Sequence, residues 1–168
     1  MEYELYSHRY ATSILEKEEE FQGNWAEIKQ AITNVTDEML IELFNQKYSM
    51  SNKSLSKTIN KLLKDQFVAQ GWRKESPIFK DKRFKDNTWK LDFAKENISI
   101  EVAFNHSGAV AWNLLKPVLA SELNHVDKAI QTKVGVIICA TEELKLKGGF
   151  DSAIGTLETY KSYLLPLQ

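Results

Sequence analysis

Cysteine is nearly absent from this sequence: Cys139 is the only one among 168 residues, so no internal disulfide can form. It lies in the apolar run Val134-Gly135-Val136-Ile137-Ile138-Cys139-Ala140, where a free thiol serves as a small core group. His8, His106 and His125 are scattered, and with one cysteine they give no zinc-site spacing. Three prolines and seven glycines leave no flexible linker, so one domain over 1–168 is expected at this length. No apolar run approaches the roughly 18 residues of a membrane span. The acidic start Met1-Glu2-Tyr3-Glu4-Leu5 lacks the apolar region of a secretory signal, and the cytoplasm is the expected location. A P-loop, a nucleophile elbow and the HExxH zinc motif are also missing.

Net charge is low too, at -1, but its distribution is uneven. Residues 1–50 carry 4 basic and 10 acidic side chains, residues 51–90 carry 11 and 4, and residues 91–168 carry 7 and 9. A near-neutral chain thus contains a strongly basic middle. Such a block fits either an anionic partner or solvated helix faces and loops.

Hydrophobic periodicity supplies the elements. Asn24 and Glu27 have the spacing of a capping box at the start of a helix over about 25–33. A second helix is expected over about 37–47. A third, about 54–70, carries Leu55, Ile59, Leu62, Leu63 and Phe67 on one face, with Gly71 placed to end it. The pattern then alternates. Trp89, Leu91 and Phe93 share one face of a strand over 88–93, and Ile98, Ile100, Val102 and Phe104 one face of another over 98–104. A helix over roughly 109–130, interrupted near Pro117, a buried strand over 134–140 and a last helix over about 151–164 complete the chain. His125 reads as a structural residue and Trp112 as packing.

The two alternating strands are joined by the polar stretch Ala94-Lys95-Glu96-Asn97, which reads as a four-residue hairpin connection. Pairing Phe93 with Ile98 across it sets Asp92 opposite Ser99 and Lys90 opposite Glu101. Asp92 and Glu101 then become diagonal neighbours on one face, about 7–8 Å apart at Cα. Two carboxylates aimed at one point repel unless a proton or a cation lies between them. Hard oxygen ligands of this kind suit Mg²⁺, which takes one or two carboxylates and fills its shell with water and phosphate oxygens. The alternative is a solvated sheet face with a plain Lys90–Glu101 ion pair.

The run Leu91-Asp92-Phe93-Ala94-Lys95-Glu96-Asn97-Ile98-Ser99-Ile100-Glu101-Val102-Ala103-Phe104 resembles the active-site hairpin of the BglII/BstYI type II restriction endonucleases, within the PD-(D/E)XK nuclease class. The shared features are the Asp-to-Glu interval and the Glu-Val-x-Phe run. Tyr6-Ser7-His8 with Ile14-Leu15, and Gly71-Trp72 followed by Pro77, are weaker similarities. The resemblance spans about residues 1–140, and the hairpin is its specific part.

The resemblance implies an α/β restriction-endonuclease-like core, a mixed central β-sheet flanked by helices, with a helical part over about 1–71 and a catalytic part over about 72–168. It implies that Asp92, Glu101 and the carbonyl of Val102 bind Mg²⁺. It further implies hydrolysis of double-stranded DNA at a short palindromic site, with a GATC core, by a homodimer whose two-fold axis matches the site.

The sequence departs from the class at Ala103, where lysine is usual and BglII has glutamine. Either Lys57, Lys90, Asn105 or His106 fills that role, or the site binds metal or DNA without cutting. Lys80, Lys82, Arg83 and Lys85, with Lys116 on the following helix, are the expected phosphate contacts. The family also continues past the last helix, whereas this sequence stops at Leu164-Leu165-Pro166-Leu167-Gln168, so either a compact version or one lacking its C-terminal part is expected. A DNA-binding module on a decayed nuclease fold and a domain unrelated to nucleic acid remain as alternatives.

Overall fold

The apolar stripe of the third expected helix is where the core begins. A computed structural model describes residues 1–123 and 125–167. In it α1 (Ala11–Lys17), α2 (Glu19–Thr33) and α3 (Asp37–Leu43) precede α4 (Ser56–Ala69), and a single π-helical turn, Phe44–Tyr48, follows α3. Ile59, Leu62, Leu63 and Phe67 of α4 are buried as their spacing predicts. Gly71, at φ 83°, closes the helix. Its N–H donates to the Val68 carbonyl and that of Trp72 to the Phe67 carbonyl, which is a Schellman motif. The Trp72 and Phe67 rings meet edge-on at 5.7 Å across it.

The capping box expected at Asn24 is not formed. The helix α2 starts at Glu19, and Asn24 is a buried residue within it. Its side chain donates instead to Glu96 Oε2 at 2.7 Å, while Glu27 accepts from Trp72 Nε1 at 2.9 Å and from Lys95 Nζ at 2.8 Å. The pair ties α2 to the hairpin.

Four strands follow: β1 (Arg73–Pro77), β2 (Lys90–Lys95), β3 (Ile98–Val102) and β4 (Val134–Ile138), in the spatial order β1-β2-β3-β4. The first two pairings are antiparallel and β3–β4 is parallel, so the sheet is mixed as expected. A parallel pair needs a crossover, which contains α5 (Val110–Ser121). Two helices follow, α6 (Glu142–Lys147) and α7 (Leu157–Leu164), the second starting later than the expected 151 because Thr156 caps it, and a 3₁₀ turn, Leu165–Leu167, ends the described chain.

Phe93, Ile98, Ile100 and Val134 pack on one side of the sheet with Trp25, Ile28, Ile59, Leu63 and Phe67 of α2 and α4. The N-terminal helices and the sheet thereby share one core. On the other side Ala94 meets Ala120 of α5, and Ala103 meets Val110 of α5 and Tyr160 of α7. Pro117 does not interrupt α5, which runs on to Ser121. The longer span expected there, to about 130, is not formed: the helix ends at Ser121 with Glu122 extended, residues 125–130 are not helical and Lys128 bridges to Phe79, and residue 124 lies outside the described residues. Pro117 presses on β4 at Gly135, where a Cβ would lie 2.4 Å from the proline Cβ.

The hairpin register differs from the expected one. Lys95 pairs with Ile98, Ala94 with Ser99 and Phe93 with Ile100. The turn is therefore only Glu96-Asn97, with Glu96 in the left-handed region at φ 48°. Ala94 and Lys95 belong to the strand because Lys95 has tertiary partners, Glu27 and the Gln70 carbonyl, that hold it extended.

Candidate active site

The corrected register changes the relation between the two acidic residues. Continuing the ladder one step beyond Phe93↔Ile100 puts Asp92 directly opposite Glu101, not diagonal to it. The closer placement strengthens their mutual repulsion. Lys90 is correspondingly not opposite Glu101; its Nζ donates to Asn87 Oδ1 at 2.8 Å. The cation beside Glu101 is Lys116 of α5, whose Nζ pairs with Glu101 Oε2. Lys116 Nζ also donates to the Lys90 carbonyl at 3.2 Å.

Burial separates this cluster from an ordinary surface ion pair. Glu101 is 1% exposed and Lys116 8%. Glu101 Oε1 is buried with no hydrogen-bond partner, an orphaned acceptor of the kind that marks a missing ligand. Asp92 accepts from the Val102 backbone N–H at 2.8 Å. Burial pushes the Asp92 carboxyl above the ordinary carboxylate range, against the Val102 N–H and Lys116. Burial and the neighbouring Asp92 push Glu101 to about 8, against the pull of Lys116. The pair is built to share a proton or a cation.

A third carboxylate lies at the same level of the sheet. Lys74↔Phe93 and Ser76↔Leu91 bracket Glu75 of β1, which places it beside Asp92 of β2. Glu75 has φ 49°, a left-handed conformation unusual inside a strand. It lines a cavity of about 220 Å³ with Asn87, Lys90, Leu91, Asp92 and Lys116. Among the described residues no three His, Cys, Asp or Glu side chains converge closely enough to hold a metal unaided. Two carboxylates, one of them with an orphaned oxygen, nevertheless suit Mg²⁺, which keeps several of its waters.

A family model described as "Restriction endonuclease BglII/BglIII" matches residues 3–168. The chain belongs to that family. Among solved structures, a crystal structure of restriction endonuclease BglII complexed with a DNA 16-mer aligns with a TM-score of 0.54 and 24% identity, over 67% of this chain and 49% of that one. This member of the family thus shares the BglII fold and spans about half of the BglII chain. No curated protein sequence matches it.

The remaining expected site residues are dispersed. Lys57 is exposed on α4, which packs on the far side of the sheet from Asp92. Asn105 and His106 are exposed and line a different cavity of about 280 Å³, with Ser54, Ser56, Phe104, Phe150 and Asp151 among its walls. His106 Nδ1 accepts from the Gly108 N–H at 2.9 Å and Asn105 Oδ1 from Asn113 Nδ2 at 3.2 Å. Lys80, Lys82, Arg83 and Lys85 are exposed, with Arg83 paired to Asp81 at 2.7 Å. Lys116, expected on the surface as a phosphate contact, is buried in the carboxylate cluster instead.

Sequence reading missed Glu75 because β1 has no alternating apolar pattern. A signal for Lys116 was present: it is the one charged residue in the helix Val-Ala-Trp-Asn-Leu-Leu-Lys-Pro-Val-Leu-Ala-Ser.

Proposed function

We propose that the protein is a type II restriction endonuclease that hydrolyses phosphodiester bonds of double-stranded DNA with Mg²⁺ at Asp92 and Glu101. The observation that carries this reading is the Asp92–Glu101 pair itself. A half-buried carboxylate on β2 neighbours a fully buried one on β3, one oxygen of the latter has no partner, and the chain belongs to the BglII/BglIII family. The Val102 carbonyl, adjacent on β3, is the proposed backbone ligand.

A bound Mg²⁺ would supply positive charge to the phosphate oxygens and make water a better nucleophile. The chain's own groups do the rest. The Val102 N–H orients Asp92, and the sheet and α5 exclude bulk water from Glu101. Lys80, Lys82, Arg83 and Lys85 would hold the DNA backbone without reading sequence.

The substrate is a short palindromic site with a proposed GATC core, read by a homodimer in the cytoplasm as part of restriction-modification. Leu115 and Val118, on the side of α5 away from the sheet, and Leu123 just beyond it are exposed apolar residues suited to a subunit contact. Among the described residues no helix is long and apolar enough to cross a membrane.

Purified protein with unmethylated plasmid and Mg²⁺ or Mn²⁺ tests the reading. Discrete fragments are expected, and Asp92→Ala should slow their appearance about 10³-fold or more. Cutting that survives in Asp92→Ala overturns the assignment. The buried methyl of Ala103, where the class carries a polar side chain, favours a second reading, a DNA-binding module without cleavage. Salt-sensitive DNA retention with no fragments in either metal would identify it.

A further inference from the structure

Hydrolysis of a phosphodiester places an attacking water next to an anion, and a site made of carboxylates alone repels both the phosphate and its developing charge. Beside a metal ion, a side-chain donor facing the water and the phosphate would hold both in place. Position 103 cannot supply it. Ala103 is 1% exposed beneath Val110 and Tyr160, and its N–H is engaged by the Ile138 carbonyl at 2.7 Å. The Tyr160 hydroxyl accepts from Asn113 Nδ2 at 2.8 Å, which holds that ring over the alanine. A lysine at 103 would have to displace it.

The other basic groups near the site pair with neither Asp92 nor Glu101. Lys90 is bonded to Asn87, and Lys57 lies beyond the sheet. Lys116 differs in three respects. It comes from the α5 layer, it is buried, and its ammonium pairs directly with Glu101, whereas Lys90 lines the same cavity as Asp92 without pairing to either carboxylate. An ammonium has three donors. Two are placed, on Glu101 Oε2 and the Lys90 carbonyl, and one is left over.

We propose that Lys116 holds the attacking water and the scissile phosphate oxygen in place, doing from α5 what residue 103 cannot do from β3. The proposal rests on the nuclease reading of the same site. In the step, the water oxygen forms a bond to phosphorus and the bond from phosphorus to one bridging oxygen breaks. The water loses a proton to solvent, and the departing oxygen takes one from solvent. Lys116 keeps all of its protons and acts by position and charge.

Lys116→Met keeps the length of the side chain and removes its charge, and Lys116→Arg keeps the charge. Each is compared with the wild type for plasmid cleavage, for DNA retention in Ca²⁺, and for Mn²⁺ binding by calorimetry. Lys116→Met is expected to cut about 100-fold more slowly, with the loss in kcat and not in KM. Its Mn²⁺ affinity should stay equal or rise, since a competing cation has left Glu101. Lys116→Arg should recover about tenfold of the lost rate.

Cleavage by Lys116→Met within about threefold of wild type overturns the inference. So does an Mn²⁺ affinity that falls in step with the rate, because Lys116 would then be a strut of the metal site. A wild type that binds Mn²⁺ yet never cuts overturns this inference and leaves the metal site standing. A wild type that binds no Mn²⁺ overturns both.

Discussion

Glu101 has one oxygen paired to Lys116 and another without a hydrogen-bond partner, and its burial beside Asp92 makes its charge sensitive to pH. In the folded chain its carboxyl stands at about 8, while in the unfolded chain it returns to the ordinary carboxylate range near 4.5. Between those values the folded state binds more protons than the unfolded state, so stability falls as pH rises through the window. The metal-free protein should therefore melt at a lower temperature near pH 8 than near pH 6, and Glu101→Gln should flatten that dependence. Under the proposed metal site, Mg²⁺ would replace the proton, so its affinity should climb across the same window and level off above about 8. Calorimetry in two buffers of different ionisation enthalpy measures the proton released on binding. An affinity that does not change with pH would show that Glu101 is already ionised in the metal-free fold.

At the scale of elements, the packing of α5 on β4 sets where Lys116 stands. Gly135 makes that close approach possible, because a Cβ there would lie 2.4 Å from the Pro117 Cβ and 3.1 Å from its Cγ. Gly135→Ala is thus expected to push α5 off the sheet and cost about 1–3 kcal/mol, read from urea unfolding. It should also weaken Mg²⁺ binding, although residue 135 touches neither carboxylate. Unchanged stability would mean that α5 slides without penalty.

Elements of this kind were unevenly legible in the sequence. The helix α4 was readable through its 3.6-residue apolar stripe and Gly71, and β3 through its alternation, because burial of one face imposes those periods. The polar edge strand Arg73-Lys74-Glu75-Ser76-Pro77 has no such period and went unseen, as did α1 and α6. The hairpin register was misread because Ala94 and Lys95 look like loop residues until Glu27 and the Gln70 carbonyl are known to hold Lys95. Asp92 and Glu101 were legible as a pair, and the signal for their cation was only that Lys116 is the one charge in an apolar helix. Lys116 comes from another layer, and no local spacing connects it to β3.

Across the whole molecule, the fold divides the basic block of residues 51–90 between the two sides of the sheet. Lys53, Lys57, Lys61 and Lys64 belong to α4 and the loop before it, away from the carboxylates, and Lys61 is paired with Asp65. The loop bearing Lys80, Lys82, Arg83 and Lys85 lies on the α5 side. Phe84 meets Trp89 at 5.1 Å between ring centroids, and Trp89 meets Trp112 of α5 at 5.3 Å. That aromatic chain holds the loop near the Asp92 cavity, which Lys90 itself lines. DNA seated at the cavity should therefore touch the second group and not the first. Each phosphate that a lysine no longer neutralises lowers the slope of log affinity against log salt by about 0.9. Replacing Lys80, Lys82 and Lys85 together by alanine should reduce that slope by about 2 to 3, measured by fluorescence anisotropy on a duplex in Ca²⁺. The corresponding triple change at Lys53, Lys57 and Lys64 should leave it nearly unaltered. Arg83 should matter less than its neighbours, because its guanidinium already makes two bonds to Asp81 Oδ2, at 2.9 and 2.7 Å, that DNA would have to compete for. If the α4 variant loses the salt dependence and the loop variant keeps it, DNA approaches from the other side of the sheet, and Asp92 and Glu101 cannot be the groups that meet the phosphate.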